Sequence, residues 1–212
     1  MRATITLGED ARDLTRRALR AIYYAFLVTG IMAIAYSSCA VMYRYFYQGV
    51  QTSKFERVVA SPGPRVIEPA AIADGGVIGE IEVPRLGLKA IVVQGDSERL
   101  LRRAVGHLPE TALPGQAGNI ALAGHRDGLF RPLRNVRSGD TITLRTQDRE
   151  FQYQVEWTAI VSPTAVQMIQ PTIEPSLTLV TCYPFYYFGA APKRFIVRAR
   201  KIAIPEQTPS AP

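Results

Sequence analysis

A single long apolar run stands near the start of the chain. Residues 21–43 contain no charged side chain and lie between Arg20 and Arg44. Because an α-helix rises about 1.5 Å per residue, a helix of this length spans the ~30 Å hydrocarbon core of a bilayer. Arginines are denser before the run than after it, so the positive-inside rule predicts that residues 1–20 are cytoplasmic and that the chain beyond Arg44 is extracytoplasmic. The pattern therefore predicts a single-pass transmembrane helix in contact with membrane lipid.

Two other interpretations of this run stay open. A cleaved secretory signal needs a shorter apolar run and a small-residue cleavage site, and the sequence meets both requirements poorly. A lipoprotein signal could use Ser37, Ser38 and Cys39, but Tyr36 fits that pattern badly and the preceding run is long. The sequence favours the uncleaved anchor over both.

Residues 44–76 show neither the helical period nor the strand period over any sustained length. Proline and glycine are frequent between positions 62 and 76. This composition predicts an extracytoplasmic tether, with a short helix near residues 53–60.

Short apolar and β-branched stretches separated by turn signals follow from residue 77 to residue 204. Seven or eight such stretches with few helices predict a mainly β domain, a closed or nearly closed β-barrel with short helices. Residues 106–118 are too rich in Gly and Pro for either element and are predicted to be a loop, and residues 205–212 a disordered tail. The predicted strands are 77–83, 89–94, 119–123, 141–146, 151–161, 177–182 and 194–202, and the predicted short helices are 97–103 and 131–136.

Charge and cysteine usage narrow the functional classes. The net charge of +7 is spread along the chain, which suits a domain beside an anionic membrane or wall polymer and argues against a nucleic-acid groove. Cys39 lies in the apolar run and Cys182 at a strand end, so a disulfide framework is not indicated. The two histidines and two cysteines lack metal-ligand spacing, and we predict neither a metal nor a cofactor.

Three residue types that share one reaction lie at predicted strand ends. Cys182 ends one strand, His125 follows another, and Arg194 begins the last one. Attack of cysteine on an amide needs a thiolate, a group that protonates the departing amine and a donor for the oxyanion, which these residues can supply. Each residue also has a structural interpretation: a buried thiol, a hydrogen-bonded loop histidine, and a solvated charge beside Lys193.

Four segments resemble motifs of the sortase family of membrane-anchored cysteine transpeptidases. TLVTC at 178–182 resembles the signature around the sortase cysteine, and ALAGHR at 121–126 resembles the strand that ends at the catalytic histidine. APKRFIV at 191–197 resembles the strand with the essential arginine, and residues 106–119 resemble the loop ahead of the histidine. The resemblance covers roughly 78–202, is strongest to the class D type, and implies an eight-stranded sortase-type β-barrel.

The resemblance also implies a role for each residue. It makes Cys182 the nucleophile, His125 the general acid and base, and Arg194 the group that binds the oxyanion and orients the substrate. The candidates for contacting the peptide are Thr181, Tyr183 and His107.

The implied activity is cleavage of an LPxTG-like sorting signal of a secreted surface protein after its threonine. The acyl fragment is then held as a thioester on Cys182 and passed to an amine, implied to belong to a cell-wall precursor. No second apolar segment is recognised after the domain and no Asp-Pro-aromatic lid between residues 48 and 76, which favours a housekeeping or special-purpose anchoring role over pilus assembly. Two alternatives stay open: a plain cysteine endopeptidase, and a membrane-tethered non-catalytic β-barrel binding module.

Overall fold

The computed structural model describes residues 7–60, 72–187 and 189–203, with side chains from residue 14 onward. Within these ranges the chain forms two compact units that divide between Phe46 and Tyr47. The predicted tail, all three prolines of the predicted tether and the first residues of the predicted cytoplasmic segment lie outside the described residues.

The first unit consists of helix α1, which begins at Leu7 and continues into the second unit, ending at Val59. Its large apolar side chains are exposed, including Phe26 at 76% and Tyr36 at 77%. By length and composition, the part at Leu14–Val59 is able to cross a membrane. Exposed apolar side chains on a fully hydrogen-bonded helix are suited to lipid, as the transmembrane prediction requires.

The end of α1, from Tyr47 to Val59, belongs to the second unit and packs within it, where the sequence predicted a tether. Phe55 is buried in a cluster with Ile91, Val93, Leu100 and Ala104. This segment is helical because tertiary packing stabilises it, and the few buried positions leave too weak a period for the sequence to reveal. The prediction of an irregular tether is therefore wrong up to Val59, and the short helix predicted near residues 53–60 is the end of a longer one.

Replacement of Phe55 by alanine tests this packing. Because the ring is 3% exposed, Phe55→Ala is expected to lower the free energy of unfolding by about 3 kcal/mol. Urea unfolding of the full chain in detergent measures the change, with Val59→Ala, 41% exposed on the same helix, as the control. A Phe55→Ala protein as stable as the control variant would mean that the helix end is not packed in solution.

Eight strands form a closed barrel in the second unit, as predicted. The neighbours run in the order β1, β2, β3, β4, β7, β8, β6, β5, and β5 pairs with β1. The pairs β2–β3 and β4–β7 are parallel and the other pairs are antiparallel. The strands are β1 Val77–Val83, β2 Leu88–Gln94, β3 Val105–His107, β4 Asn119–Ala123, β5 Thr141–Arg145, β6 Glu150–Val161, β7 Ser176–Tyr183 and β8 Lys193–Ile202.

Alternation along each strand builds the core inside the barrel. Leu177 and Leu179 of β7 are fully buried in it, whereas Val180 and Cys182 are partly exposed. Successive side chains point to opposite faces, so Val180 and Cys182 lie on the outer face of the barrel. The connections contain the short helix α2 (Glu98–Leu101) and three 3-10 turns, at Pro84–Leu86, Arg131–Asn135 and Val166–Met168.

The predicted strands agree with the structure to within one residue at each end, with one strand missed. β3 lies partly inside the segment predicted as a loop, and it places His107 in the sheet. Three residues that include a glycine are too short for a period of two to be recognised. The strand exists because it pairs on both sides, Val105 with Val92 and Gly106 with Ala123.

Candidate active site

β7 and β8 bring Cys182 and Arg194 together. The two strands are antiparallel, and the two residues are directly paired. Paired Cα atoms in such strands are about 4.5–5.5 Å apart with side chains on one face. The thiol is free and partly exposed, so the guanidinium and the sulfur share the outer face at one end of the barrel.

β4 brings His125 to the same place. It runs parallel to β7, with Ala123 opposite Val180, and both strands end at this edge. The Gly124 N–H continues the alignment by donating to the Val180 carbonyl at 3.2 Å. A Cβ at Gly124 would lie 2.7 Å from the Phe130 ring, so glycine is required there. The next residue, His125, therefore follows the sheet to the edge where Cys182 lies.

His125 and Arg194 each have polar neighbours. His125 is 29% exposed, and its Nε2 lies 3.6 Å from Oε1 of Glu98, in the first turn of α2. Arg194 donates from Nη1 to the carbonyls of Ala191 at 3.3 Å and Lys193 at 3.1 Å. These bonds hold the guanidinium at the start of β8. The arrangement can supply a nucleophile, a proton donor and an oxyanion ligand at one point.

A mainly apolar groove of about 310 Å³ extends from Arg194 along the outer face of β4, β7 and β8. The connection between β6 and β7 forms its other wall. An extended apolar peptide fits such a surface because it needs contact area more than charge. The apolar lining includes Leu101, Leu108, Val161, Val166, Ile169, Val180 and Ile196.

Two polar residues with no predicted role, the partly exposed Arg198 and the buried Asn119, hold that wall. Arg198 donates to the Met168 carbonyl at 2.8 Å and to Ser176 Oγ at 3.0 Å. Asn119 also donates to the Met168 carbonyl, at 3.4 Å, and its Oδ1 accepts from Thr178 at 2.7 Å. The sequence offered one sign that Arg198 lies near the site: it is four residues after Arg194 on β8, and residues four apart on a strand share a face.

Two of the three predicted peptide contacts lie on either side of Cys182. Thr181 is 2% exposed, and its hydroxyl donates to the Gly124 carbonyl at 2.7 Å, so it braces the residue before His125. Tyr183 is partly exposed and packs with Phe185 and Phe195 at centroid distances of 6.1 and 6.4 Å. The geometry favours a peptide contact for Tyr183 and a supporting role for Thr181.

His107, the third of these residues, is fully buried in β3, and the prediction that it lies in a loop is wrong. Its Nδ1 lies 2.9 Å from Gln94 Oε1, and its Nε2 lies 2.9 Å from the Ala112 carbonyl oxygen. The ring therefore braces the segment between β3 and β4. A direct peptide contact stays a prediction that the burial does not favour.

The burial of His107 predicts a pH dependence of stability. Burial lowers the pKa of His107, and the hydrogen bond to Ala112 offsets only part of that effect. The folded protein thus binds this proton more weakly than the unfolded chain does. The stabilisation is complete above the ordinary histidine pKa of about 6.5 and is lost as the pH falls below it.

His107→Gln should remove this part of the pH dependence. Urea unfolding at about pH 7.5 and about pH 5.5 brackets the ordinary histidine pKa. We expect the wild-type free energy of unfolding to fall by up to ~1.4 kcal/mol per pH unit more than that of the variant. Equal pH dependence in His107→Gln and the wild type would contradict the assignment.

Within the described residues, no group of three His, Cys, Asp or Glu side chains is placed to hold a metal ion. The sequence-based expectation of no metal and no cofactor stays a prediction.

Comparison with known proteins agrees with the resemblance seen in the sequence. The profile of the "Sortase domain" family matches residues 81–202. Sortase D of Bacillus subtilis is 35% identical over 129 residues, which are 60% of this chain and 65% of that protein. Sortase SrtE1 of Streptomyces coelicolor is 30% identical over 193 residues, 79% of this chain and 53% of that protein. The chain thus spans between about half and two thirds of these relatives.

Solved structures share the barrel. A Clostridium perfringens sortase D5 transpeptidase superposes with a TM-score of 0.62 at 25% identity, over 76% of this chain and 98% of that one. A sortase C from Clostridium perfringens, solved with the C-terminal cell wall sorting motif, gives a TM-score of 0.58 at 25% identity, over 72% and 85% of the two chains. Since the family profile covers more than half of the sequence, this chain belongs to the sortase family.

Proposed function

We propose that this chain is a cysteine transpeptidase that cleaves an LPxTG-like sorting signal and transfers the acyl fragment to an amine. One observation carries the proposal: Cys182 is paired with Arg194, the strand before His125 ends at the same barrel edge, and Arg194 lines an apolar groove there. A nucleophile, an acid and an oxyanion ligand held by three neighbouring strands are the parts that acyl transfer needs.

The first half of the reaction forms the thioester. The Cys182 thiolate attacks the threonine carbonyl carbon, and Arg194 stabilises the negative charge on the oxygen. The carbon–nitrogen bond then breaks as the His125 imidazolium donates its proton to the departing amine. The acyl fragment stays on the sulfur.

The second half reverses the proton transfer. An acceptor amine attacks the thioester carbon and loses a proton to His125, and the carbon–sulfur bond breaks to restore the Cys182 thiolate. Water in place of the amine gives simple hydrolysis, which is the endopeptidase alternative.

The substrate side of the proposal rests on the groove and on a relative. The apolar lining suits the Leu-Pro part of a sorting signal, with Arg194 at the end where the threonine carbonyl would lie. The sorting-motif complex of the Clostridium perfringens sortase C supports this substrate class. We further propose that the amine belongs to a cell-wall precursor, and that α1 anchors the chain with residues 1–20 in the cytoplasm.

Product analysis separates the transpeptidase from the endopeptidase. The full chain in detergent is incubated with an LPxTG-type peptide, with and without an added primary amine. We expect the released N-terminal fragment to carry the amine in its presence and a free carboxylate in its absence. Cleavage with no incorporated amine at any concentration would favour the endopeptidase, and no cleavage together with a thiol inert to alkylation would favour the non-catalytic module.

A further inference from the structure

One carboxylate faces the imidazole of the proposed active site. Glu98 Oε1 is 3.6 Å from His125 Nε2, a distance within the range of an ion pair when the ring is protonated. The two residues come from different elements, because Glu98 begins α2 and His125 follows β4. The sequence pattern alone indicates no role for Glu98.

The short helix α2, which contains Glu98, is fixed by contacts with the end of α1. Leu100 is 2% exposed and packs in the same buried cluster as Phe55 of α1. After the helix ends, the Arg103 carbonyl accepts a hydrogen bond from Gln48, and the Arg103 guanidinium lies 4.8 Å from the Tyr47 ring centroid. A four-residue helix is not stable by itself, so these contacts fix its position.

Glu98 is shared between two cations. The Oε1 atom that approaches His125 also lies 3.4 Å from Nε of Arg102, one turn further along. The Glu98 side chain is 66% exposed, so both ion pairs are screened by water and salt. The contact with His125 should therefore have a modest effect that depends on ionic strength.

We propose that Glu98 is a positioning residue for His125. Its carboxylate pairs with the imidazolium at Nε2 and restrains the ring before the proton is transferred to the leaving amine. The inference rests on the proposed function, in which His125 is the acid. Because α2 is fixed by the end of α1, the docked end of α1 also holds the carboxylate in place.

The test compares Glu98→Gln, Glu98→Asp and Arg102→Gln in the full chain. We expect Glu98→Gln to lower kcat about two- to five-fold with KM unchanged, since an exposed ion pair is worth that much. Glu98→Asp should recover part of the loss, and Arg102→Gln, which removes only the competing cation, should not lower kcat. In about 1 M NaCl, where the Debye length is ~3 Å, the wild type and Glu98→Gln should converge.

A measurement without substrate keeps this inference separate from the proposed function. The chain has only two histidines, so ring-labelled histidine gives two sets of NMR signals, with buried His107 as a rigid internal reference. Glu98→Gln should increase the mobility of the His125 ring and leave His107 unchanged. An unchanged His125 ring overturns the positioning role even if the enzyme turns over. A fall in kcat with an equal rise in KM, shared by Arg102→Gln, overturns it as well, because it points to a general disturbance of α2.

Discussion

His125→Ala is expected to lower the turnover of an LPxTG-type peptide by ~10² to 10⁴-fold, the contribution of a positioned general acid. The loss should appear in kcat, because protonation of the leaving amine occurs only in the transition state. The pH dependence that this imidazole gives to the reaction should disappear with it. Steady-state kinetics of the full chain across pH measure both effects.

The other histidine provides the control for this variant. His107→Gln replaces a fully buried ring that contacts Gln94 and Ala112. A residue that only supports a binding segment changes KM and stability and leaves the shape of the pH profile unaltered. If His107→Gln were the inactive variant and His125→Ala the mild one, the assignment of the acid would be reversed.

Arg194→Lys is expected to lower the rate by ~10² to 10³-fold, although it keeps the charge. The planar guanidinium gives two parallel hydrogen bonds to an oxyanion or a carbonyl, and the ammonium of lysine on a flexible stem does not reproduce them. The fixed position of Arg194, opposite Cys182 at the start of β8, makes this geometry matter. Single-turnover acylation with the peptide measures the loss directly.

A matched substitution on the same strand checks that the effect belongs to the site. Arg200 shares the outer face of β8, and it bonds Gln154 at 3.1 Å, away from the groove. Arg200→Lys should keep near wild-type activity, since exposed substitutions away from a site change little. Near-normal activity of Arg194→Lys would instead show that Lys193 or backbone amides stabilise the oxyanion.

The strands and the site were predictable for local reasons. Alternating β-branched and apolar residues mark each long strand, and turn residues separate them, so seven strands follow from the pattern alone. The ends of β4 and β7 carry His125 and Cys182 because parallel neighbours end at the same edge. The start of β8 then adds Arg194, paired with Cys182, and the motif resemblance grouped the three residues from the sequence alone.

The features that escaped prediction depend on contacts between distant segments. β3 exists through its pairing with β2 and β4, and the end of α1 is helical where Phe55 packs on the barrel. The exposed Glu98 has no local feature that marks it as a neighbour of His125. The inward orientation of Thr181, by contrast, was predictable from the sequence. Neighbouring residues on a strand face opposite sides, and Cys182 is on the outer side.

A thioester on Cys182 is the intermediate on which the proposed reaction depends, and intact-protein mass spectrometry detects it. The full chain is mixed with an LPxTG-type peptide without an acceptor amine and then quenched in acid. We expect the mass of the protein to increase by that of the acyl fragment ending at threonine. Hydroxylamine should release the fragment, and Cys182→Ala should not form the adduct. Peptide cleavage by Cys182→Ala at the wild-type rate, or an adduct that persists in that variant, would contradict it.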